Sequence, residues 1–397
     1  MQQAGRIVSV RTAIRSIVTD QPPLYTQVRA TLAYYSKTSL VGPSSRYRIY
    51  QFLPFLDAAG VSCRVYPLFG PAYFRILEIR FVPIRFVAKL GYVATRFLKR
   101  VWDLLTMPAA DVVTIEGQLF PYVPAVVERL IVRAFSKVVV EFDDAIYLTP
   151  FHRTKISILL RSVSASVVGN EILARYARQY SSRVTVIPTV VDTQRFAPSE
   201  AESETGKALT VVWVGLAYNL ECLNMVAPVL RELAEQGVIR LRVICSHRPM
   251  LDGLDIEFRP WSLEGEVEDL RDCQIGIMPL PDTEWARGKC GLKLLQYMAC
   301  GMATVASPVG VNVEIVRDGE TGFLASSPDA WREKLIRLCL DRELRVRFGL
   351  AGRRRVEEAY SLDLWGPRLA DHYLELPNSS IVAGFTGEAA PRQVHGK

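Results

Sequence analysis

Histidine is scarce in this 397-residue chain, and cysteine is present without pattern. The four histidines (His152, His247, His372, His395) lie far apart and near no cysteine pair, which leaves zinc without a ligand set. The seven cysteines (Cys63, Cys222, Cys245, Cys273, Cys290, Cys300, Cys339) are odd in number and never form Cys-x-x-Cys. They read as reduced thiols of a cytoplasmic protein, not as a disulfide framework. No run reaches the ~18 uninterrupted apolar residues of a membrane span. The opening stretch, Met1–Ser16, carries no apolar signal core.

What is present describes a globular protein. Hydrophobic residues make up 49% and charged residues 22%. The length suits two domains of roughly 150–200 residues. A net charge of +7 points to an anionic partner: nucleic acid, a phosphorylated substrate or a membrane surface.

Apolar runs and turn residues predict a variable leader (1–28) and then strands alternating with helices. Strands are expected at Ala30–Tyr35, Ser62–Pro67, Asp111–Ile115 and Lys137–Phe142. Between the first two, a polar loop Ser36–Ser45 leads into a helix Arg46–Ala59 with Ser44 or Ser45 as its N-cap. The domain spans 29–190. A Pro-, Ser- and Glu-rich linker (191–207) follows, then a second series (208–360) that opens on Leu209–Val214 and helix Leu220–Gln236. A helix at 361–376 is expected to pack back on the first domain, and 377–397 to form a disordered tail. Short buried-type strands separated by helices imply parallel α/β sheets. Two such domains face across a cleft, with ligands beyond the carboxyl ends of the strands.

Chemistry concentrates in Trp285–Ala325. Lys289, Lys293 and Gln296 recur at i, i+4 and i+7, one helical face. Gly288 and Gly291 open that helix and let a ligand approach free N–H groups. A helix start with two lysines suits a pyrophosphate. The turn Ser307–Val311 offers a second set of amides at Gly310 and Val311, with Glu314 in the next helix's first turn. Spacing alone does not separate this from a solvated lysine face with capping glycines.

The same stretch resembles the donor-binding region of glycosyltransferase family 4. The residues that carry the likeness are Gly291-Leu292, Gln296–Gly301, Thr304–Ser307, Val309-Gly310, Glu314–Val316, Asp318-Gly319 and Gly322–Leu324. Elsewhere, Gly42–Arg48, Glu141–Ala145, Val167–Asn170, Val186–Asp192 and Val212–Gly215 are similar to its other segments. The resemblance implies a GT-B fold of two Rossmann-like domains. It also implies transfer with retention from a nucleotide-diphospho-sugar, without a metal or other cofactor. Departures accompany it: the family's paired glutamates fall on Gly288 and Gln296, and Leu216–Asn219 lacks the usual basic pair.

On this reading Gly215, Arg287, Lys289, Gly291, Lys293, Gln296, Gly310, Val311 and Glu314 bind the donor. Lys293 steadies the leaving diphosphate, and Asp143 and Asp144 orient the acceptor hydroxyl. The alternative is that Asp144 caps the next helix and Asp143 anchors the loop. Gly42, Ser44, Ser45, Arg46 and Arg48 form the acceptor loop, its arginines holding a phosphate or simply solvated. In 75–100, seven basic residues accompany one acidic residue, Glu78. Arg85, Lys89, Arg96, Lys99 and Arg100 share a helical face, while Phe86, Leu90, Val93, Phe97 and Val101 flank the other side. That pattern fits an anionic membrane surface or a core-packed helix with a basic outer face, and Pro83 and Gly91 suggest two shorter helices. The expected acceptor is a glycan or a polyprenyl-diphosphate-linked one, in surface polysaccharide biosynthesis. The expected location is cytoplasmic, peripheral on the inner face of the plasma membrane. Nucleic acid is not expected, for want of a recognisable module. A non-catalytic GT-B subunit that supports an active partner is the alternative that the missing glutamates favour.

Overall fold

The computed structural model describes residues 27–79, 81–149, 152–199 and 208–378. Most of the leader (1–28) and of the tail (377–397), part of the linker, and Arg80 lie outside them.

Two parallel six-stranded sheets form the frame. The first holds β1 (Ala30–Tyr35), β2 (Val61–Val65), β3 (Val112–Glu116), β4 (Val138–Phe142), β5 (Ala165–Val168) and β6 (Val184–Val186), in the order β2-β1-β3-β4-β5-β6. The second holds β7 (Leu209–Val214), β8 (Ile239–Cys245), β9 (Ile256–Pro260), β10 (Ile275–Met278), β11 (Ala303–Ala306) and β12 (Phe323–Leu324), ordered β12-β11-β10-β7-β8-β9. Helices cover both faces, so β3 and β4 are buried at every residue. That explains their unbroken apolar runs, each fully buried Val or Ile contributing about 1.5–3 kcal/mol. β3 nevertheless ends on a carboxylate, Glu116, opposite Glu141, the last residue but one of β4, in register.

The expected helix Arg46–Ala59 is broken into Pro43–Arg48, a 3-10 turn Tyr50–Phe52, and Leu53–Ala58. Pro54 sits in the first turn of the last piece, where its missing N–H is harmless; in mid-helix it would clash with the preceding turn. Gly42, not Ser44 or Ser45, is the N-cap. Likewise Leu220–Gln236 resolves into a 3-10 segment Ala217–Met225 and a helix Ala227–Glu235.

One continuous 25-residue helix, Val82–Thr106, replaces the two suggested by Pro83 and Gly91. Pro83 falls in its first turn, where the absent N–H is not missed. Its orientation corrects the expected basic outer face. Arg96 donates to the carbonyls of Leu68 (2.5 Å) and Pro67 (2.9 Å). Arg100 is buried, donates to Ser36 O at 2.8 Å, and lies 4.9 Å from the Tyr35 ring centre. These arginines turn inward because loop carbonyls beside β1 and β2 need donors. The outward stripe is apolar instead: Ile84, Val87, Leu90, Leu98, Trp102 and Leu105 are exposed. No helix among the described residues is long and apolar enough to cross a membrane.

The chain passes from the first sheet to the second through 187–208, and Val191 pairs with Ser361 where it returns. The final helix, Leu362–Asn378, packs against the first sheet. Its Leu369, Ala370, Tyr373 and Leu376 share a core with Leu32, Phe52, Val112 and Val167. The two sheets therefore face each other across a cleft that the chain crosses twice.

Candidate functional site

The cleft holds a cavity of about 200 Å³ lined from both domains. From the second domain come the residues around two turns. Gly215 follows β7, and a Cβ there would lie 2.6 Å from the Trp213 ring and 3.0 Å from Cε of Lys293. Only glycine lets the lysine stem cross at this point. Lys293 lines the cavity, and its Nζ ends 4.6 Å from the Trp213 ring centre. Burial, with Lys289 nearby, pulls its pKa down to about 8. Gly291 takes φ +72°, a left-handed conformation that opens the helix Leu292–Ala299 with no side-chain cap. The first-turn amides of that helix have no intrahelical acceptor.

Lys289 stands in the turn before this helix, not on it as the spacing suggested, between Glu284–Arg287 and Leu292–Ala299. It lines the same cavity and lies 3.8 Å from Asp144 of the first domain. Asp143 and Asp144 follow β4 and both line the cavity. Burial pushes the Asp144 carboxyl up to about 6, against the pull of Lys289 and with the push of Asp143.

Two glycines bring the domains together beside these groups. A Cβ at Gly288 would sit 2.6 Å from Cβ of Ala145, and one at Gly169 would sit 2.3 Å from Sγ of Cys290. Asn170 donates from Nδ2 to Gly288 O (3.0 Å), and the Cys290 thiol reaches Asp143 O at 3.0 Å. Position 288 therefore has no room for a glutamate side chain.

Several expected site residues do other work. Arg287 is half-exposed, paired with Asp282 at 2.6 and 2.8 Å, and does not line the cavity. Glu314 is exposed outside the cavity, its carbonyl accepting from Arg355. Gly310 and Val311 buttress the lysine turn from behind: a Cβ on Gly310 would meet Arg287 O at 2.5 Å, and Val311 packs on Gly291. In the acceptor loop, a Cβ at Gly42 would collide with Thr38, while Ser44 lines the cavity. Ser45 is buried and donates its hydroxyl to Glu116 at 2.7 Å. Arg48 is buried too, bonding Glu141 (2.5 Å) and Ile187 O (2.8 Å). Both lie beneath the loop because Glu116 at the end of β3 and Glu141 near the end of β4 need partners. Neither is placed to touch an acceptor. Arg46 lines the cavity, but its guanidinium is committed to Leu40 O, Val41 O and Glu266. Gln296 lines it as well, donating to Tyr47 Oη and Glu266.

Sequence reasoning missed Tyr47, Trp261, Glu266 and Thr189, all lining the cavity. The Thr189 hydroxyl is buried there with no partner. Nothing in the local sequence marks Glu266, whose partner Arg46 is 220 positions away. Glu116 and Glu141 did carry a signal: a carboxylate at or beside the end of a buried strand requires a nearby donor.

Residues 208–341 match the family described as Glycosyl transferases group 1. No curated protein matches the chain in sequence. Among solved structures, the fold is similar to sucrose-phosphate synthase from Thermosynechococcus elongatus, with a TM-score of 0.64 and 15% identity over 89% of this chain and 100% of that one. A glycosyltransferase from Rickettsia africae ESF-5 gives 0.63 and 13% over 90% and 100%. HepE of Anabaena, in complex with UDP-glucose, gives 0.63 and 13% over 87% and 99%. At these identities the likeness is one of fold, and the fold is GT-B.

Proposed function

We propose that this chain is a retaining glycosyltransferase of the family 4 kind. It moves a sugar from a nucleotide-diphospho-sugar to a glycan or polyprenyl-diphosphate-linked acceptor in surface polysaccharide biosynthesis. One observation carries the reading: Lys289 and Lys293 from one domain and Asp143 and Asp144 from the other line a single cavity. Two ammonium groups and the first-turn amides meet the diphosphate where negative charge grows as the anomeric bond breaks. The acceptor oxygen bonds to the anomeric carbon on the face the diphosphate leaves, and its proton passes to the departing phosphate. Asp144, when ionised, accepts that hydroxyl's hydrogen bond and holds it in line. The reading needs no bound metal.

A membrane-bound acceptor fits the outward stripe of Val82–Thr106, whose exposed Leu98, Trp102 and Leu105 suit the interfacial region of a bilayer. The protein then works in the cytoplasm, peripheral to the inner face of the plasma membrane, with its apolar side inserted and not its basic one.

Release of nucleoside diphosphate from a panel of UDP-, GDP-, ADP- and dTDP-sugars, with lipid-linked acceptors present, tests this. At least one donor is expected to turn over with its anomeric configuration kept, as read by nuclear magnetic resonance. Nucleotide binding without turnover across the panel would overturn it in favour of a non-catalytic subunit.

The same assay has an expected pH profile. Asp144 works ionised and its pKa is raised to about 6, so activity falls as pH drops through that value. Lys293 works protonated and its pKa is lowered to about 8, so kcat/KM falls again above it. Asp144→Asn should remove the acidic limb and lower kcat by about 10²-fold. A profile flat from pH 5 to 9 would contradict both roles.

A further inference from the structure

Four side chains from distant parts of the chain meet on one buried carboxylate. Glu266, between β9 and the short helix Glu268–Arg271, has a side chain only 2% exposed. Its Oε1 accepts from Arg46 Nη2 (2.8 Å), Tyr47 Oη (3.2 Å) and Gln296 Nε2 (3.3 Å). Arg195, in the interdomain segment, closes to 3.0 Å of Oε2 as an ion pair without hydrogen-bond geometry. Gln296 also donates to Tyr47 Oη at 2.9 Å. Arg46 lies 5.0 Å from the centres of both the Tyr47 and Trp261 rings, so its cationic face is covered from two domains. Arg46 and Tyr47 belong to the first domain, Glu266 and Gln296 to the second.

We infer that Glu266 is a closure latch that positions the first domain over the donor site, and that glutamine stands at 296 because a second carboxylate there would break it. The inference rests on the donor-cleft reading above. Opening the cleft would take Arg46 and Tyr47 away from Glu266, leaving a mostly buried carboxylate with only Gln296 of its own domain and Arg195 of the interdomain segment. Stripping partners from a buried charge is costly, so the hub favours the closed arrangement. An amide at 296 supplies two N–H donors to this cluster. A glutamate would replace them with acceptors facing Oε1 of Glu266 at about the same separation, and two carboxylates sharing one site cannot both ionise freely. The family's carboxylate at this position is thus incompatible with this chain's latch. The adjoining acceptor loop is held by the same contacts, which makes Glu266 a positioning residue and not a catalytic one.

Charge exchange within the hub tests the inference. Gln296→Glu, Glu266→Gln and the double exchange would be compared with wild type by solution X-ray scattering and by donor KM and kcat. Circular dichroism would check that each variant is folded. Each single variant is expected to show a larger radius of gyration and a donor KM raised at least about tenfold, with kcat changed less. The double variant again holds one carboxylate and one amide, and should recover the wild-type radius and most of the KM. Singles as closed as wild type, or a double variant no better than its parents, would overturn the latch. Scattering does not depend on turnover, so an enzyme inactive on every donor tried would count against the proposed reaction and leave this result readable.

Discussion

Lys293→Met should weaken nucleoside diphosphate binding by about a hundredfold and abolish measurable sugar transfer while the fold survives. The expectation follows from where the ammonium is held. Its stem crosses Gly215, where any other residue would clash, its Nζ lies over the Trp213 ring, and the residue lines the cavity. A charge-assisted hydrogen bond is worth about 1.5–3 kcal/mol. Each 1.4 kcal/mol is about tenfold in affinity, and one preorganised donor is worth about 10²–10³ in rate. Methionine keeps the length and apolar stem but loses the charge. Because burial lowers the free lysine's pKa to about 8 and a diphosphate raises it again, binding takes up a proton above that pH. Wild-type affinity should therefore weaken as pH rises past about 8, whereas the variant's should not respond there. Folding shows the opposite sign. The pKa is lower in the folded chain than its ordinary 10.5, so the unfolded chain binds the proton more tightly between about 8 and 10.5. Stability through that window rises with pH on account of this group, and the variant should melt no lower than wild type at neutral pH. Calorimetric titration with nucleoside diphosphates at pH 7 and pH 9 checks the binding claims. An unchanged Kd would remove Lys293 from the donor site.

Placing a glutamate at 288, as in glycosyltransferase family 4, which this sequence resembles, should harm this protein. Gly288→Glu, and even Gly288→Ala, is expected to cut transfer about a hundredfold. A Cβ at 288 would sit 2.6 Å from Ala145 Cβ and 3.2 Å from Ala145 N, neither of which is the free end of a flexible side chain. Overpacking of this kind costs about 1–3 kcal/mol, and the domains relieve it by moving apart. Displacing reacting groups by about 1 Å is enough to lose about 10²-fold. The shift would separate Lys289 from Asp144, now 3.8 Å apart across the seam. Ala145→Gly in the Gly288→Ala background removes the opposing methyl and should recover part of the activity. Steady-state kinetics on the three variants decide it. Full activity in Gly288→Glu would show that the seam is not closed as described.

The frame was largely readable because parallel sheets write themselves as apolar runs. Ala30–Tyr35 and Leu209–Val214 form strands over the expected residues. Helix breaks were harder: Pro54 stops one helix, whereas Pro83 only begins another, and the difference lies in where each first turn starts. Helical periodicity groups residues on faces without saying which face meets the protein, which is why Arg96 and Arg100 turn inward and Leu98 and Trp102 outward. Of the residues lining the cavity, Lys289 and Lys293 were visible because they stand four positions apart where one helix begins. Ser45 and Arg48 were misread because their partners, Glu116 and Glu141, sit on strands 71 and 93 positions away. The Arg46–Glu266 contact, which joins the two domains, leaves no trace in local pattern.

A crystal structure with the tightest-binding nucleoside diphosphate tests the central claim most directly. The account predicts the diphosphate in the cleft, with phosphate oxygens about 3 Å from Nζ of Lys293 and of Lys289. A nucleotide bound elsewhere, or in the cleft with both ammonium groups turned to bulk solvent, would contradict it.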